Sequence, residues 1–292
     1  MGSTWGNKLK ISIFGESHGE AIGVVIDGLP AGEVIDTNEI LLQMSRRSPG
    51  SDSTSTPRKE SDEPKIVSGI LNGKTTGAPL CAFIENTNTR SNDYSELSVT
   101  PRPGHADYTG QIRYNGSNDL RGGGHFSGRL TAPLVFAGAV CRQILERKGI
   151  LIGAHIFSIA NVFDIPFDAA NISKDLICSL SKSKFALIDA EKEDAIRTAV
   201  NAARAEDDSV GGIVECAAIG VPTGIGSPMF GGIENIISSI VFGIPAVKGI
   251  EFGNGFAAAS LRGSENNDSF TYKNDKVVTE TNNCGGILGG IS

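Results

Sequence analysis

Histidine and arginine recur beside glycine at several places in this chain. Ser17 and His18 stand in FGESHG, Arg46 and Arg47 close a helix-like run, Arg102 and His105 fall in RPGHAD, and RGGGHFSGR carries Arg121, His125 and Arg129. An imidazole titrates near neutral pH and can therefore give or take a proton during a reaction. A guanidinium presents a planar fork that matches carboxylate and phosphate oxygens. Neighbouring glycines let a ligand come close to the backbone. Taken together, the set suits a small polyanion bearing both groups. Each member also has a plainer reading: an arginine pair at a helix C-terminus complements the helix dipole, and a glycine-rich loop can simply satisfy turn geometry. His155, inside a strand-like run, reads as a core histidine with satisfied hydrogen bonds.

The elements that must hold these residues are partly visible in the pattern. LKISIF and IGVVID alternate apolar residues as two short strands, which puts His18 in the GESHGEA turn between them. DTNEILLQMSRR predicts a helix with Asp36 or Thr37 as N-cap, Glu39 in the first turn, and Ile40, Leu41 and Met44 at helical spacing. Residues 48–64 have the composition of a polar surface loop. KIVSGILNGKTTGAPLCAFIE predicts a hairpin turned at Asn72-Gly73. Its GILNGKT resembles a phosphate-binding loop but has three residues between the glycines where that motif needs four.

From Asn86 to Arg129 there is little apolar periodicity, a span too long for an ordinary connection and therefore expected to be functional. LTAPLVFAGAVCRQILERKG then predicts a buried helix with Leu134, Ala137, Cys141 and Leu145 on one face and Gly149 as its C-cap. Further on come a long strand (ILIGAHIFSIANVF), an amphipathic helix (AEKEDAIRTAVNAARAED), a strand (GGIVECAAIGVP), a helix-then-strand run (GGIENIISSIVFGIPAVKGIEFG) and a surface loop (SENNDSF). Helices and strands mix without regular alternation, and no G-x-G-x-x-G joins a strand to a helix. The class expected is α+β, without a Rossmann cofactor site.

Composition narrows the function classes. A formal charge of −7 argues against a general nucleic-acid binder, so any anion must meet local positive charge. Five dispersed cysteines without a CxxC pair suggest neither a zinc site nor a disulfide framework, so no metal is expected, and they fit a reducing cytoplasm. The sequence has neither a secretory leader pattern nor a long apolar run, so neither export nor a membrane is expected.

FGESHG with GVVIDGLPAG, then RRSPG, RPGHAD, GGGHFSGRLTAP, AVKGIEFGNGF, LRGSENND and NNCGGILGGIS, in that order, resemble the motifs of the chorismate synthase family from Trp5 to the last residue. The resemblance implies a lyase that converts 5-enolpyruvylshikimate 3-phosphate to chorismate and phosphate by anti 1,4-elimination, closing the shikimate pathway of aromatic amino acid biosynthesis. It implies a requirement for reduced FMN, with NADPH as a reductant in some members. It implies an α+β sandwich of central helices between antiparallel sheets, assembled as a homotetramer with flavin near subunit boundaries. By motif match, His18 is the histidine that protonates or stabilises the departing phosphate, and His105 is the one assigned to protonating the flavin. Ser17, Arg47, Arg102 and Arg129 match substrate contacts, and Arg46 and Arg47 match NADP contacts. His125, Phe126, Ser127, Ala246 and Gly289 match positions that line FMN.

The chain departs from the family pattern in places. Ser53 stands where arginine is common, leaving Arg58 or Lys59 as substitutes, and the flavin loop has His125 and Phe126 where many members begin with arginine. Family members continue through a KPT-type segment and an RHDP-type motif. The resemblance therefore implies that residues 1–292 are a single domain truncated at the C-terminus, binding FMN poorly or inactive. Two rival readings follow: a flavin- or anion-binding but catalytically incomplete fragment, and a phosphotransferase that uses Lys74 of GILNGKT.

Overall fold

The computed structural model describes residues 2–49, 54, 60–87 and 100–292; Ser53, Arg58 and Lys59 lie outside the described residues. The chain divides into two compact units, Met1–Arg147 and Lys148–Ser292, and each is described by itself.

The strands of the first unit are β1 (Thr4–Gly6), β2 (Lys10–Gly15), β3 (Ala21–Asp27), β4 (Lys65–Ser68), β5 (Ile70–Leu71), β6 (Lys74–Thr75) and β7 (Leu80–Glu85). Five of them make an antiparallel sheet in the order β1-β2-β3-β7-β4, and β5 pairs with β6. Period-2 alternation places Ile22, Val24 and Ile26 of β3 beside Leu80, Ala82 and Ile84 of β7 on a buried face. Helix α3 (Thr131–Arg147) lies against β2, β3 and β7, and helix α1 (Thr37–Arg47) packs on α3. Phe136, Val140, Ile40 and Met44 are almost wholly withdrawn from water, each contributing roughly 1.5–3 kcal/mol. Asp36 is the N-cap of α1 and accepts from the Asn38 N–H at 2.8 Å. Gln143 of α3 grips that cap, accepting from the Asp36 N–H at 2.7 Å and donating to its carbonyl at 3.1 Å.

The β2–β3 register ends at Gly15 opposite Ile22, which leaves residues 16–20 as the turn expected to carry His18. The hairpin at Asn72-Gly73 also forms, with both residues at positive φ as a two-residue hairpin turn requires. GILNGKT is thus a strand–turn–strand, with Lys74 in β6. Two helical details differ from the periodicity. Leu41 is exposed, and the buried stripe of α3 runs through Ala132, Phe136, Ala139 and Val140, leaving Leu134, Cys141 and Leu145 half-buried. Helix α3 is covered by both the sheet and α1, so more than one of its stripes is inside. The aperiodic span holds helix α2 (Asp107–Arg113) and two 3-10 turns, Arg121–Phe126 and Gly128–Leu130.

In the second unit β8 (Leu151–Ile159), β9 (Val162–Phe163) and β10 (Gly212–Ile219) form a sheet in the order β10-β8-β9. ILIGAHIFSIANVF is therefore two strands, folded back at Ala160, whose φ is +50°. Helix α4 (Lys174–Leu180) packs on β8, with Ile177, Leu180 and Phe167 at the centre of a small core. Then come α5 (Glu193–Ala205), α6 (Ile233–Val241), α7 (Gly263–Asn266) and the hairpin β11 (Phe270–Lys273) with β12 (Lys276–Thr279). The strand expected after α6 is absent among the described residues: residues 242–254 take no strand. Pro245 and three glycines interrupt that run and deprive a ladder of donors and side-chain packing. SENNDSF is less free than its composition suggests, because Asp268 accepts from Thr281 Oγ1 at 2.6 Å, Asn283 N at 2.7 Å and Cys284 N at 2.9 Å.

His155 is a core histidine as expected. Its Nδ1 meets Asp164 and its Nε2 meets Glu215, both at 2.8 Å, and its ring stands edge-on to Phe167. Among the described residues all paired strands are antiparallel, so the fold is α+β as the sequence indicates. Among the described residues no helix is long and apolar enough to cross a membrane.

Candidate active site

The turn after β2 is covered by the glycine-rich segment. The Ser17 N–H donates to the Gly124 carbonyl at 3.1 Å, and Ser17 Oγ lies 3.2 Å and 3.0 Å from the carbonyls of Arg121 and Gly122. Carbonyls only accept, so the single hydroxyl hydrogen of Ser17 goes to them. Its lone pair then accepts from His18 Nδ1–H at 3.2 Å. This assigns the His18 tautomer and makes Nε2 the atom that gains or gives a proton. Both Ser17 and His18 are buried.

Gly122 is what makes room for the ring. Its φ is +60°, and a Cβ there would stand 2.2 Å from His18 Cε1 and Nδ1 and 2.6 Å from Ser17 Oγ. This close approach comes from a loop about a hundred residues away in the sequence.

Arg129 is also buried, in the 3-10 turn that leads into α3. Its Nη1 pairs with Asp62 and, at 2.6 Å, with Glu60, while Nε donates to Asn86 Oδ1 at 3.1 Å. Its Nη2 is buried with no hydrogen-bond partner among the described residues. Asp62, whose side chain is wholly inside, also takes Arg47 Nη1 and the Ser48 hydroxyl, so one carboxylate joins two of the four expected substrate contacts. Arg46 goes elsewhere. It donates to Gln43 at 2.7 Å, and burial followed by the charge of Arg142 on α3 pushes its pKa down. The adjacent arginines of α1 thus serve different surroundings.

Arg102 makes a two-pronged bond to Asp107, from Nε and Nη2 at 2.8 Å each, and its backbone N–H donates to the same carboxylate at 3.0 Å. These hydrogen bonds hold the Asp107 carboxyl down at about 2. His105 is exposed beside them, with Nδ1 bonded to the Pro103 carbonyl at 3.1 Å, which leaves Nε2 as its exchangeable position. Arg102 Nη2 lies next to Gly123, 3.9 Å from where a Cβ would stand, so the RPGHAD and RGGGHFSGR segments meet. Asp119 pairs with Arg121 at 2.7 Å, and that bonding, helped by the charge of His18, keeps its carboxyl below the usual range.

The positions expected to line a flavin fall into two groups. His125 uses both ring nitrogens, donating from Nδ1 to the Gly15 carbonyl and pairing through Nε2 with Ser3 Oγ, each at 2.7 Å. Phe126 is partly exposed next to Tyr114, with ring centroids 6.2 Å apart. Together with Glu16, Asn118, Asp119 and His125 these rings line a cavity of about 310 Å³. Asn118 Oδ1 is buried and unpartnered among the described residues. Ser127 caps the turn that leads to Arg129, accepting from its N–H at 3.3 Å. Ala246 and Gly289 belong to the second unit, both exposed and at positive φ, +68° and +62°.

Glu60, Asp62, Asn86, Asp107 and Asp119 escaped sequence reasoning. Four of them, Glu60, Asp62, Asn86 and Asp119, sit in aperiodic polar stretches where nothing distinguishes a polar side chain drawn inward from a solvated one. Asp107 is the exception, since the D of RPGHAD lies five residues from the arginine it clamps.

The chain was also compared with known proteins. A family model for chorismate synthase matches residues 9–292. The chain is 47% identical to the chorismate synthase of Lancefieldella parvula, covering 100% of this chain and 80% of that one. It is 48% identical to that of Thermococcus kodakarensis, covering 98% and 78%. A crystal structure of a chorismate synthase superposes with a TM-score of 0.80 at 30% identity, over 98% of this chain and 80% of the other. The order of the motifs, the α+β architecture and these similarities agree: the chain belongs to the chorismate synthase family of lyases.

Proposed function

We propose that this chain eliminates phosphate from 5-enolpyruvylshikimate 3-phosphate to give chorismate, with His18 as the acid that meets the departing phosphate. The observation that carries this reading is the His18 pocket: a buried imidazole with Nδ1 bonded to Ser17 Oγ, in the same unit as Arg47, Arg102 and Arg129. A leaving phosphate needs a proton or positive charge as its bond breaks, and groups already held in place supply it without reorganisation. Arg129, whose buried Nη2 has no hydrogen-bond partner among the described residues, and Arg47 and Arg102, each fixed by a carboxylate, bind and orient the substrate anions. His105 is the second proton-exchanging residue, through Nε2. A substrate carrying both carboxylates and a phosphate is the polyanion that such a cluster in an acidic chain calls for.

The cavity beside Phe126 fits the ring system of reduced FMN. Phe126 and Tyr114 offer apolar faces, and Asn118 Oδ1 is a buried acceptor suited to a ring N–H. His125 would shape that wall with its ring fixed between Gly15 and Ser3, and Ser127 would support it from the following turn. Ala246 and Gly289 are carried as proposed FMN contacts on the motif match alone. Reduced FMN, when bound, supplies a transient electron to an elimination that is redox-neutral overall. NADPH as reductant at Arg46 and Arg47, a cytoplasmic homotetramer and a single functional domain belong to the same reading. A phosphotransferase is not favoured, since Lys74 lies in a hairpin strand.

The test is anaerobic phosphate release from the substrate with chemically reduced FMN. His18→Ala and His105→Ala should each lower kcat by about 100-fold or more, the usual worth of a positioned acid. Undiminished rates in both variants would overturn the assignment.

A further inference from the structure

Asn86, the first residue after β7, makes four hydrogen bonds that all bear on the site. Its backbone N–H donates to the Glu20 carbonyl at 3.0 Å. Its Nδ2 donates to the carbonyls of Glu16 and Gly19, both at 2.9 Å, and its Oδ1 accepts from Arg129 Nε at 3.1 Å. The amide orientation is unambiguous, because carbonyls only accept and a guanidinium only donates. Three of these bonds therefore span the His18 turn from Glu16 to Glu20, and the fourth reaches the buried arginine.

Arg129 has three nitrogens and Asn86 takes the first, while Asp62 and Glu60 take Nη1. The guanidinium is planar, so fixing Nε and Nη1 fixes Nη2, which has no hydrogen-bond partner among the described residues. The same amide that sets this orientation also sets the turn that holds His18.

We propose that Asn86 is a positioning residue for the elimination, locking the proton-donating turn and the anion-binding guanidinium at one spacing through a single side chain. The proposal rests on the reading of His18 as acid and Arg129 as substrate contact. It also explains why the position needs an amide. Aspartate has the same shape and can still accept from Arg129 Nε, but it has no hydrogen for the Glu16 and Gly19 carbonyls and would set charge against them. Alanine makes none of the side-chain bonds.

The two variants should therefore differ. Asn86→Asp is expected to keep KM within about three-fold while kcat falls on the order of 100-fold, the scale of a displacement near 1 Å. Asn86→Ala is expected to lose the same kcat and also to raise KM about ten-fold, because Arg129 loses the acceptor that fixes its Nε while keeping Asp62 and Glu60. Calorimetric binding of the substrate without flavin should follow KM, weakening for Asn86→Ala and not for Asn86→Asp. A role in stability alone would lower Tm in both and leave kcat within two-fold, and that result overturns the proposal. So does an equal change of kcat and KM in the two variants. If Asn86→Ala does not fold, the isosteric Asn86→Asp decides alone: kcat within two-fold of wild type refutes positioning. His18→Ala serves as reference. Its inactivity beside a fully active Asn86→Asp sinks only the positioning role, whereas wild-type kcat in His18→Ala sinks the parent reading and this proposal with it.

Discussion

Replacing Gly122 with alanine should disable the site while leaving the fold standing. The added Cβ would lie 2.2 Å from two atoms of the His18 ring and 2.6 Å from Ser17 Oγ, where non-bonded carbons prefer about 3.5 Å. The ring must retreat by about 1 Å, and a misplacement of that size costs on the order of 100-fold in rate. This corresponds to about 2.7 kcal/mol of barrier. The positive φ adds a backbone cost of about 1–2 kcal/mol for any L-residue. Gly123→Ala separates the two effects. Gly123 also has positive φ, +85°, but a Cβ there meets nothing closer than Ser127 Cβ at 3.8 Å. Both variants should lose similar stability in urea, measured as a lower midpoint with an unchanged slope. Only Gly122→Ala should lose phosphate release in the anaerobic assay. Equal activity in the two variants would refute the steric argument, and with it the claim that His18 must hold its place.

Other consequences follow from the charge network. The Asp107 carboxyl is held at about 2, below its unfolded value near 3.9, so its contribution is fully present above about pH 4 and is lost as pH falls through about 2. Asp107→Asn should therefore cost about 1–2 kcal/mol at neutral pH, reduced by solvent access to Arg102, and the difference from wild type should shrink in acid unfolding curves. Asp62→Ala leaves Arg47 and Arg129 without their shared buried carboxylate and should lower stability by about 3–5 kcal/mol in urea titration. A loss below 1 kcal/mol would show that the arginines find other partners. Arg47→Ala should raise the KM for substrate about ten-fold or more while Arg46→Ala leaves it within about two-fold, because only Arg47 joins the carboxylate that also holds Arg129. Equal effects would contradict the division between these neighbours.

The sequence by itself determined the local elements and the chemical inventory. Alternating apolar residues made β2 and β3 and set His18 in the turn between them, and Asp36 and the Asn72-Gly73 pair placed a helix start and a hairpin, because propensity, capping and turn chemistry act over a few residues. Motif order was enough to indicate the family. Where local signals were cut by tertiary context, the reading failed: a fold-back at Ala160 split one strand in two, and the run after α6 formed none.

Only the tertiary structure decided which groups meet. Gly122 lies 104 residues from His18, Asp62 reaches forward to Arg129 and back to Arg47, and Asn86 bridges the His18 turn to that same arginine. Nothing in a local window distinguishes these polar residues from solvated ones. Their roles arise when packing of the sheet and α3 withdraws them from water, where a charge or amide persists only beside a complementary partner.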